Sequence, residues 1–354
     1  MSPRSTTSVT GGNARIESVD VLRGLIMSLM LVVDNPGGVA YAPLNHAEWN
    51  GFTPTDFVFP TFVFVMGVSL YLSLRKSSFR LSWRMARRFL LLFGTGVFLN
   101  WLGKGIFRGT WGFEGLRILG VLQRLALCYG ISALLVCLVN HKWLGWIATA
   151  LLVGYGALLL LGNGYAQGPE SILARVDSWV LGTDHMYRRG KVIDPEGLLS
   201  TVPAVAHTLI GFLMGKLLVK GELRKMETVG TLLLAGGLLL QWVLPLNKKV
   251  WSPSFVLVAC GLATLLLGAI HYFTDERGVW KRTGFWKVFG TNAILSFILC
   301  DGLVWVMSLT GAHSAIMKAV GNTPFTSLLY ALAGMLLIWL ILLPLYRRRL
   351  FLRF

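Results

Sequence analysis

The sequence predicts an all-α fold, a polytopic transmembrane helical bundle of about ten spans. Three observations carry that expectation. Of 354 residues, 55% are hydrophobic and only 14% are charged, where soluble domains run at roughly 45–50% and about 25%. Residues 89–102 and 143–162 hold no charged side chain and are too long for strands, and several stretches approach the ~18–20 apolar residues of a membrane-crossing helix. The net charge of +17, from 33 Lys and Arg against 16 Asp and Glu, would suit a nucleic-acid binder. The apolar runs exclude that class and leave membrane topology to explain the basic excess.

The spans follow in order. The first, 19–33, opens on Asp20 and Arg23, three apart on one helical face and read as an ion pair. It ends at Asp34-Asn35-Pro36-Gly37-Gly38, where Pro and Gly stop the helix. The second, 55–74, opens on Thr53-Pro54-Thr55-Asp56. Thr53 or Thr55 caps it, and Asp56 is a first-turn acid suited to the helix dipole. The third, 84–103, starts on Arg84, Arg87 and Arg88, which satisfy the positive-inside rule or else contact the phosphates of a nucleotide ligand. The fourth, 118–139, carries Gln123 and Arg124; an arginine that deep needs a carboxylate such as Asp301, carbonyls, or an anionic ligand. The fifth is 143–162. Five more lie at 198–218, 229–246, 254–273, 285–309 and 325–346.

An even number of spans puts both termini on one side. Lysine and arginine concentrate in the segments around Arg75 and Arg80, Lys220 and Arg224, Lys281 and Arg282, and Arg347 to Arg349, so that side is read as cytoplasmic. Residues 1–16 are then a polar cytoplasmic tail without signal-peptide features. Residues 17–350 form one transmembrane domain, and 351–354 are a short cytoplasmic end. Arg188, Arg189 and Lys191 share a long outward loop, which the rule weighs less. Cys128, Cys137, Cys260 and Cys300 read as small buried hydrophobes, with no metal spacing.

Two outward segments, near 35–53 and 163–197, are longer than turns, and long loops carry function or merely connect. The first holds Asn35, His46, Glu48 and Trp49 and runs into Asp56. A lone loop histidine is more often structural, and Asp56 alone is an ordinary first-turn acid. Together, Asn35, His46 and Asp56 are placed to converge at the outer surface, where a histidine oriented by a carboxylate is a general base. The second holds Asp184-His185-Met186-Tyr187, which lines an acceptor pocket or simply orders the loop.

The ordered motifs Ser18-Val19-Asp20-Val21-Leu22-Arg23-Gly24, Asp34-Asn35-Pro36-Gly37-Gly38, His46-Ala47-Glu48-Trp49-Asn50-Gly51 and Thr55-Asp56-Phe57-Val58-Phe59-Pro60 resemble the heparan-α-glucosaminide N-acetyltransferase family. So do Arg117-Ile118-Leu119-Gly120-Val121-Leu122-Gln123-Arg124-Leu125, Asp184-His185-Met186-Tyr187, Asp194-Pro195-Glu196-Gly197 and Gly290-Thr291-Asn292-Ala293-Ile294. The resemblance covers most of the chain. It is similar to the bacterial version, in which no large lumenal domain precedes the position of Glu17.

The resemblance implies acetyl transfer across a membrane, here a bacterial cytoplasmic (inner) membrane. Acetyl-CoA is the donor from the cytoplasm, an amino sugar such as glucosamine the acceptor on the outer side, and no metal takes part. The family's active-site histidine falls on His46 and its Gln-Arg pair on Gln123 and Arg124. Its asparagine falls on Asn35 counted back from His46, and on Asp34 counted forward from the first span; Asn35 keeps the residue type. The implied roles follow. His46 is the base and Asp56 orients it; Asn35 donates to the developing oxyanion or holds substrate. Gln123 and Arg124 hold the pantetheine arm or polarise the thioester; Arg84, Arg87 and Arg88 attract phosphates; Glu48, Trp49, Asp184, His185 and Tyr187 line the acceptor site. Direct transfer is favoured over an acetyl-histidine. Membrane lipid and a second copy in a homodimer are the expected partners, and nucleic acid is not. The competing expectation is an amino-sugar permease without chemistry, to which ten spans and intramembrane charges also fit.

Overall fold

A computed structural model describes residues 16–187 and 193–352. Arg188, Arg189 and Lys191, most of the tail 1–16, and the last two residues lie outside the described residues. Those described form thirteen α-helices. These are α1 (Glu17–Val33), α2 (Pro54–Leu74), α3 (Trp83–Arg108), α4 (Val121–Leu138), α5 (Leu144–Leu161), α6 (Ile172–Leu181) and α7 (Thr201–Val219). Then come α8 (Leu223–Leu240), α9 (Pro253–His271), α10 (Gly284–Thr291), α11 (Ala293–Leu309), α12 (Ala312–Val320) and α13 (Pro324–Arg347).

All ten predicted segments are helical, and the fold is the expected all-α membrane bundle. The span count differs from the expectation. By length and apolarity seven helices qualify to cross a membrane, α2, α3, α4, α5, α7, α9 and α13, or eight when α10 and α11 count as one span. That pair bends by 83° at Asn292, a break inside what reads in sequence as one apolar run, 285–309. The other two segments fall short for separate reasons. α1 has only 17 residues, and α8 carries Arg224, Lys225 and Glu227 near its start. α1 is nonetheless buried along most of its length, packed against α2, α9, α10 and α13, so it is the central post of the bundle.

The bundle is drawn together by small residues. α2 and α7 are among its most intimate pairs. A Cβ on Gly67 would sit 2.1 Å from the Thr208 carbonyl oxygen, and one on Gly211 would sit 2.2 Å from that of Phe64. Only glycine permits that backbone approach, the usual way apolar helices pack where lipid offers no hydrophobic drive.

Two short helices were not foreseen. α6 lies inside the supposed loop 163–197, with Trp179 and Val180 exposed, and α12 lies between α11 and α13. The loop after α1 is anchored. The Gly51 amide donates to the Leu246 carbonyl at 2.7 Å, the Val39 amide to Asn322 Oδ1 at 3.0 Å, and Asn247 Nδ2 to Asn50 Oδ1 at 3.0 Å. The C-terminal end of α1, the N-terminal end of α2 and the turn joining α8 to α9 therefore meet as one end of the bundle.

Candidate functional site

That end is organised by Asp56. It occupies the third position of α2, and with Thr53 it forms a reciprocal capping box, the arrangement that satisfies the free amides of a helix start. Its Oδ2 accepts from the Thr53 amide at 3.2 Å and the Ala47 amide at 3.0 Å. Its Oδ1 faces His46 Nδ1 at 2.7 Å. The carboxylate is an acceptor, so Nδ1 carries the hydrogen and Nε2 keeps its lone pair. The Asp56 side chain is 2% exposed and that of His46 is 49% exposed. A fixed, buried carboxylate thus aims an imidazole whose far nitrogen is free.

Lys248 joins this pair from the turn between α8 and α9. Its Nζ lies 3.3 Å from His46 Nδ1 and 3.7 Å from Asp56 Oδ1. Burial pushes its ammonium below the ordinary lysine value, while Asp56, Asp34 and Glu196 pull it back up. Lys248 is not among the site residues expected from the sequence. A signal was there: Lys248 and Lys249 sit together at the face where lysine is disfavoured. Lys249 is tied to the Glu48 carbonyl oxygen and lies 5.5 Å from the Trp49 ring.

Asn35 and Asp34 point different ways. Asn35 Nδ2 donates to the Leu31 carbonyl at 2.9 Å and to Cys300 Sγ at 2.8 Å, turned toward α11. Asp34 is the C-terminal cap of α1, where the helix dipole disfavours a carboxylate. Its side chain is exposed; the surrounding protein raises its carboxyl above the usual range, and Lys248 and His46 lower it.

The other residues expected at an acceptor site are placed as follows. Glu48 is exposed. Trp49 Nε1 donates to the Tyr165 carbonyl at 3.1 Å. His185 Nδ1 lies 2.7 Å from the Leu116 carbonyl and its ring packs on Phe113. The Tyr187 amide donates to Asp194 Oδ2 at 2.7 Å, and Arg117 lies over the Tyr187 ring. Asp184 is the middle residue of a short 3-10 turn, Thr183–His185. Arg117 also pairs with Asp194 at 2.8 Å and Glu196 at 2.5 Å, and the carboxylate neighbours hold its guanidinium above the usual value against burial. Through Glu196, this ionic cluster reaches the field around Lys248 and Asp34.

Gln123 and Arg124 are fully buried in α4. Arg124 Nη2 donates to the Gly197 carbonyl at 3.0 Å and to Ser200 Oγ, and its guanidinium lies 5.0 Å from the Trp251 ring. These, rather than Asp301, are its partners. Its Nε and Nη1, and Gln123 Nε2, are buried without a hydrogen-bond partner among the described residues.

A cavity of about 570 Å³ runs alongside α1 and α2. At one end it is lined by Arg23, Arg75, Lys76 and Arg88. Arg23 is fixed there by Asp20 at 3.1 Å, Ser69 Oγ at 2.5 Å and the Gly290 carbonyl at 3.2 Å, which confirms the expected ion pair. At the other end it reaches Met30 and Phe59, about one helical turn from Asp34 and Asp56. Arg84 and Arg87 are exposed and do not line it.

Fold and site together define a polytopic membrane protein with a histidine–aspartate pair about one helical turn beyond a basic-mouthed cavity. Comparison with known proteins narrows this. Residues 15–239 match the family model described as "Heparan-alpha-glucosaminide N-acetyltransferase, catalytic", and the chain belongs to that family. It is 30% identical over 353 residues to the human heparan-alpha-glucosaminide N-acetyltransferase, covering 80% of this chain and 52% of the relative. It is 28% identical over 351 residues to the mouse protein of that name, covering 80% and 53%. The chain thus spans about half the length of the curated relatives it matches. His46, Asp56, Asn35 and Arg124 fall inside the matched family region, and Lys248 lies beyond it.

Proposed function

We propose that the protein is an acyltransferase that moves an acetyl group from acetyl-CoA to the amine of an amino sugar, glucosamine or a terminal glucosaminide, with His46 as general base. The observation that carries this reading is the cavity that runs from a cationic mouth to Met30 and Phe59, about one helical turn short of the His46–Asp56 pair. A donor with anionic phosphates at one end and a reactive thioester at the tip of a long thin arm matches that shape and charge. The amine nitrogen attacks the thioester carbon and the C–N bond forms. The C–S bond breaks, His46 Nε2 takes the amine proton, and CoA leaves as the thiol.

Arg88, with Arg75 and Lys76, is the proposed phosphate contact. Arg84 and Arg87 contribute only the longer-range field that gathers an anion. Asn35 or Asp34 positions the reacting groups, and Gln123 and Arg124 brace the bundle beside the donor arm. The cationic mouth faces the cytoplasm and His46 faces outward in this reading, with both termini cytoplasmic in a bacterial inner membrane.

The test is thiol release by purified protein in liposomes given acetyl-CoA with and without glucosamine. Release only when the amine is present supports the reading. Uptake of unmodified labelled glucosamine without acetyl-CoA would instead make the protein a permease. Arg75→Glu combined with Arg88→Glu is expected to raise the acetyl-CoA KM by about tenfold or more while changing kcat little, since charged contacts are worth roughly 1–3 kcal/mol each.

A further inference from the structure

A second cavity, of about 540 Å³, meets the site on another face of α1. Asp34 and Asn35 form one polar end, and Ser308, His313, Thr326 and Tyr330 place further polar groups along it. Its walls are largely apolar side chains of α11, α12 and α13. Among them Val304, Leu329 and Leu337 are also exposed on the outside of the bundle. α13 is a 24-residue apolar span with little of its surface buried inside the protein, so that side faces lipid. The cavity is of small-molecule size, and it leads from the hydrocarbon to the Asp34 carboxylate at the end of α1.

A free sugar is a poor match for walls that are mostly apolar, because the scattered polar groups of Ser308, His313, Thr326 and Tyr330 are too few to replace the water its hydroxyls would lose. The polar end carries the Asp34 carboxylate, on which the Lys248 and His46 charges also act, and a carboxylate at that end suits an ammonium group arriving before it loses its proton. A plain lipid tail would match the walls but leave this carboxylate end unmatched. A second copy of the chain would cover the outer face of α13 rather than fill the space behind it.

We infer that the acceptor is an amphiphile, an amino sugar carried on a lipid tail, with the tail between α11 and α13 and the amine at Asp34 beside His46. This rests on the acetyl-transfer reading above. The chemistry is unchanged: the C–N bond forms, the C–S bond breaks, His46 takes the proton, and CoA leaves as the thiol. The product is an N-acetylated sugar still held in the membrane.

The experiment uses the full chain in liposomes with acetyl-CoA and three acceptors, methyl glucosaminide, octyl glucosaminide and octylamine, read by thiol release. Octyl glucosaminide is expected to show a kcat/KM at least about tenfold above methyl glucosaminide. Ala333→Trp and Gly334→Phe, two separate ways of narrowing the cavity from α13, are expected to remove most of that advantage and leave methyl glucosaminide within about twofold. Equal values for the two sugars, or an advantage that survives both variants, overturn the proposal, the latter by tracing it to partition into the bilayer. Octylamine turned over as well as octyl glucosaminide overturns the sugar half of it. Methyl glucosaminide is the control for folding and for the underlying reaction. If no amine releases thiol from the unsubstituted protein, acetyl transfer itself fails and the acceptor proposal falls with it.

Discussion

His46→Ala is expected to lower kcat for acetyl transfer by about 10²–10⁴-fold, the usual range for a positioned general base. The amine must be neutral to attack, and it must shed a proton as the C–N bond forms. His46 Nε2 is the free nitrogen at the site because Nδ1 is committed to Asp56 at 2.7 Å. Donor affinity is expected to stay within about twofold, since the cationic mouth at Arg75, Lys76 and Arg88 is at the far end of the cavity and loses no charge contact. The folded state is also spared. The ring is half exposed, and its removal leaves Asp56 Oδ2 bonded to the amides of Ala47 and Thr53. Stopped-flow thiol release and acetyl-CoA binding on the same preparation separate the two effects. Unchanged kcat in the variant would sink the assignment. A labelled acetyl group trapped on the unsubstituted protein in the absence of amine would replace direct transfer by a histidine intermediate.

What the sequence made legible follows from the range of the interactions involved. Apolar run length located every span segment, because crossing a membrane is a local constraint on about 20 consecutive residues. The capping role of Thr53 and Asp56 was legible for the same reason, since the box closes over four residues. The break at Asn292 was not, because Gly290-Thr291-Asn292 interrupts apolar residues too briefly to lower the average, and the 83° bend is set by packing on α1 and α13. Partners distant in the chain were hidden altogether. Lys248 meets His46 across 202 positions, and Arg124 meets Ser200 across 76. For Arg124 the carboxylate first considered, Asp301, gave way to a carbonyl and a hydroxyl. The pairing of His46 with Asp56 was legible through the family resemblance more than through spacing, since ten residues of Gly-, Pro- and Asn-containing loop have no periodicity to read. The alternation between Asp34 and Asn35 shows the limit of counting. Adjacent residues at a helix end differ by about 100° in direction, so Asn35 turns to Cys300 while Asp34 caps the helix.

Asp56→Asn is the sharper test of the mechanism, because it changes one proton and almost no shape. In the unsubstituted protein Oδ2 takes two backbone N–H donors, from Ala47 and Thr53. An asparagine at this position must therefore keep its carbonyl oxygen there, since an NH2 group would face two donors. The amide nitrogen then falls at the Oδ1 position, against His46 Nδ1. It donates to Nδ1, which obliges the imidazole proton to move to Nε2, and the nitrogen that should accept the amine proton carries one already. The same NH2 faces Lys248 Nζ, which loses the carboxylate 3.7 Å away. The expected loss in kcat is about 10²–10⁴-fold, comparable to His46→Ala, and the double variant is expected to be no worse than either single one because the two residues act as a unit. Stability should change little, as the amide oxygen preserves the capping box of α2. Asp56→Ala, in contrast, forfeits the cap at a cost of roughly 1 kcal/mol. Thermal unfolding of the two variants beside their rates decides the matter. An Asp56→Asn protein that folds and keeps kcat within about threefold would show that His46 does not need Nε2 unprotonated, and with it the general-base role would have to be given up.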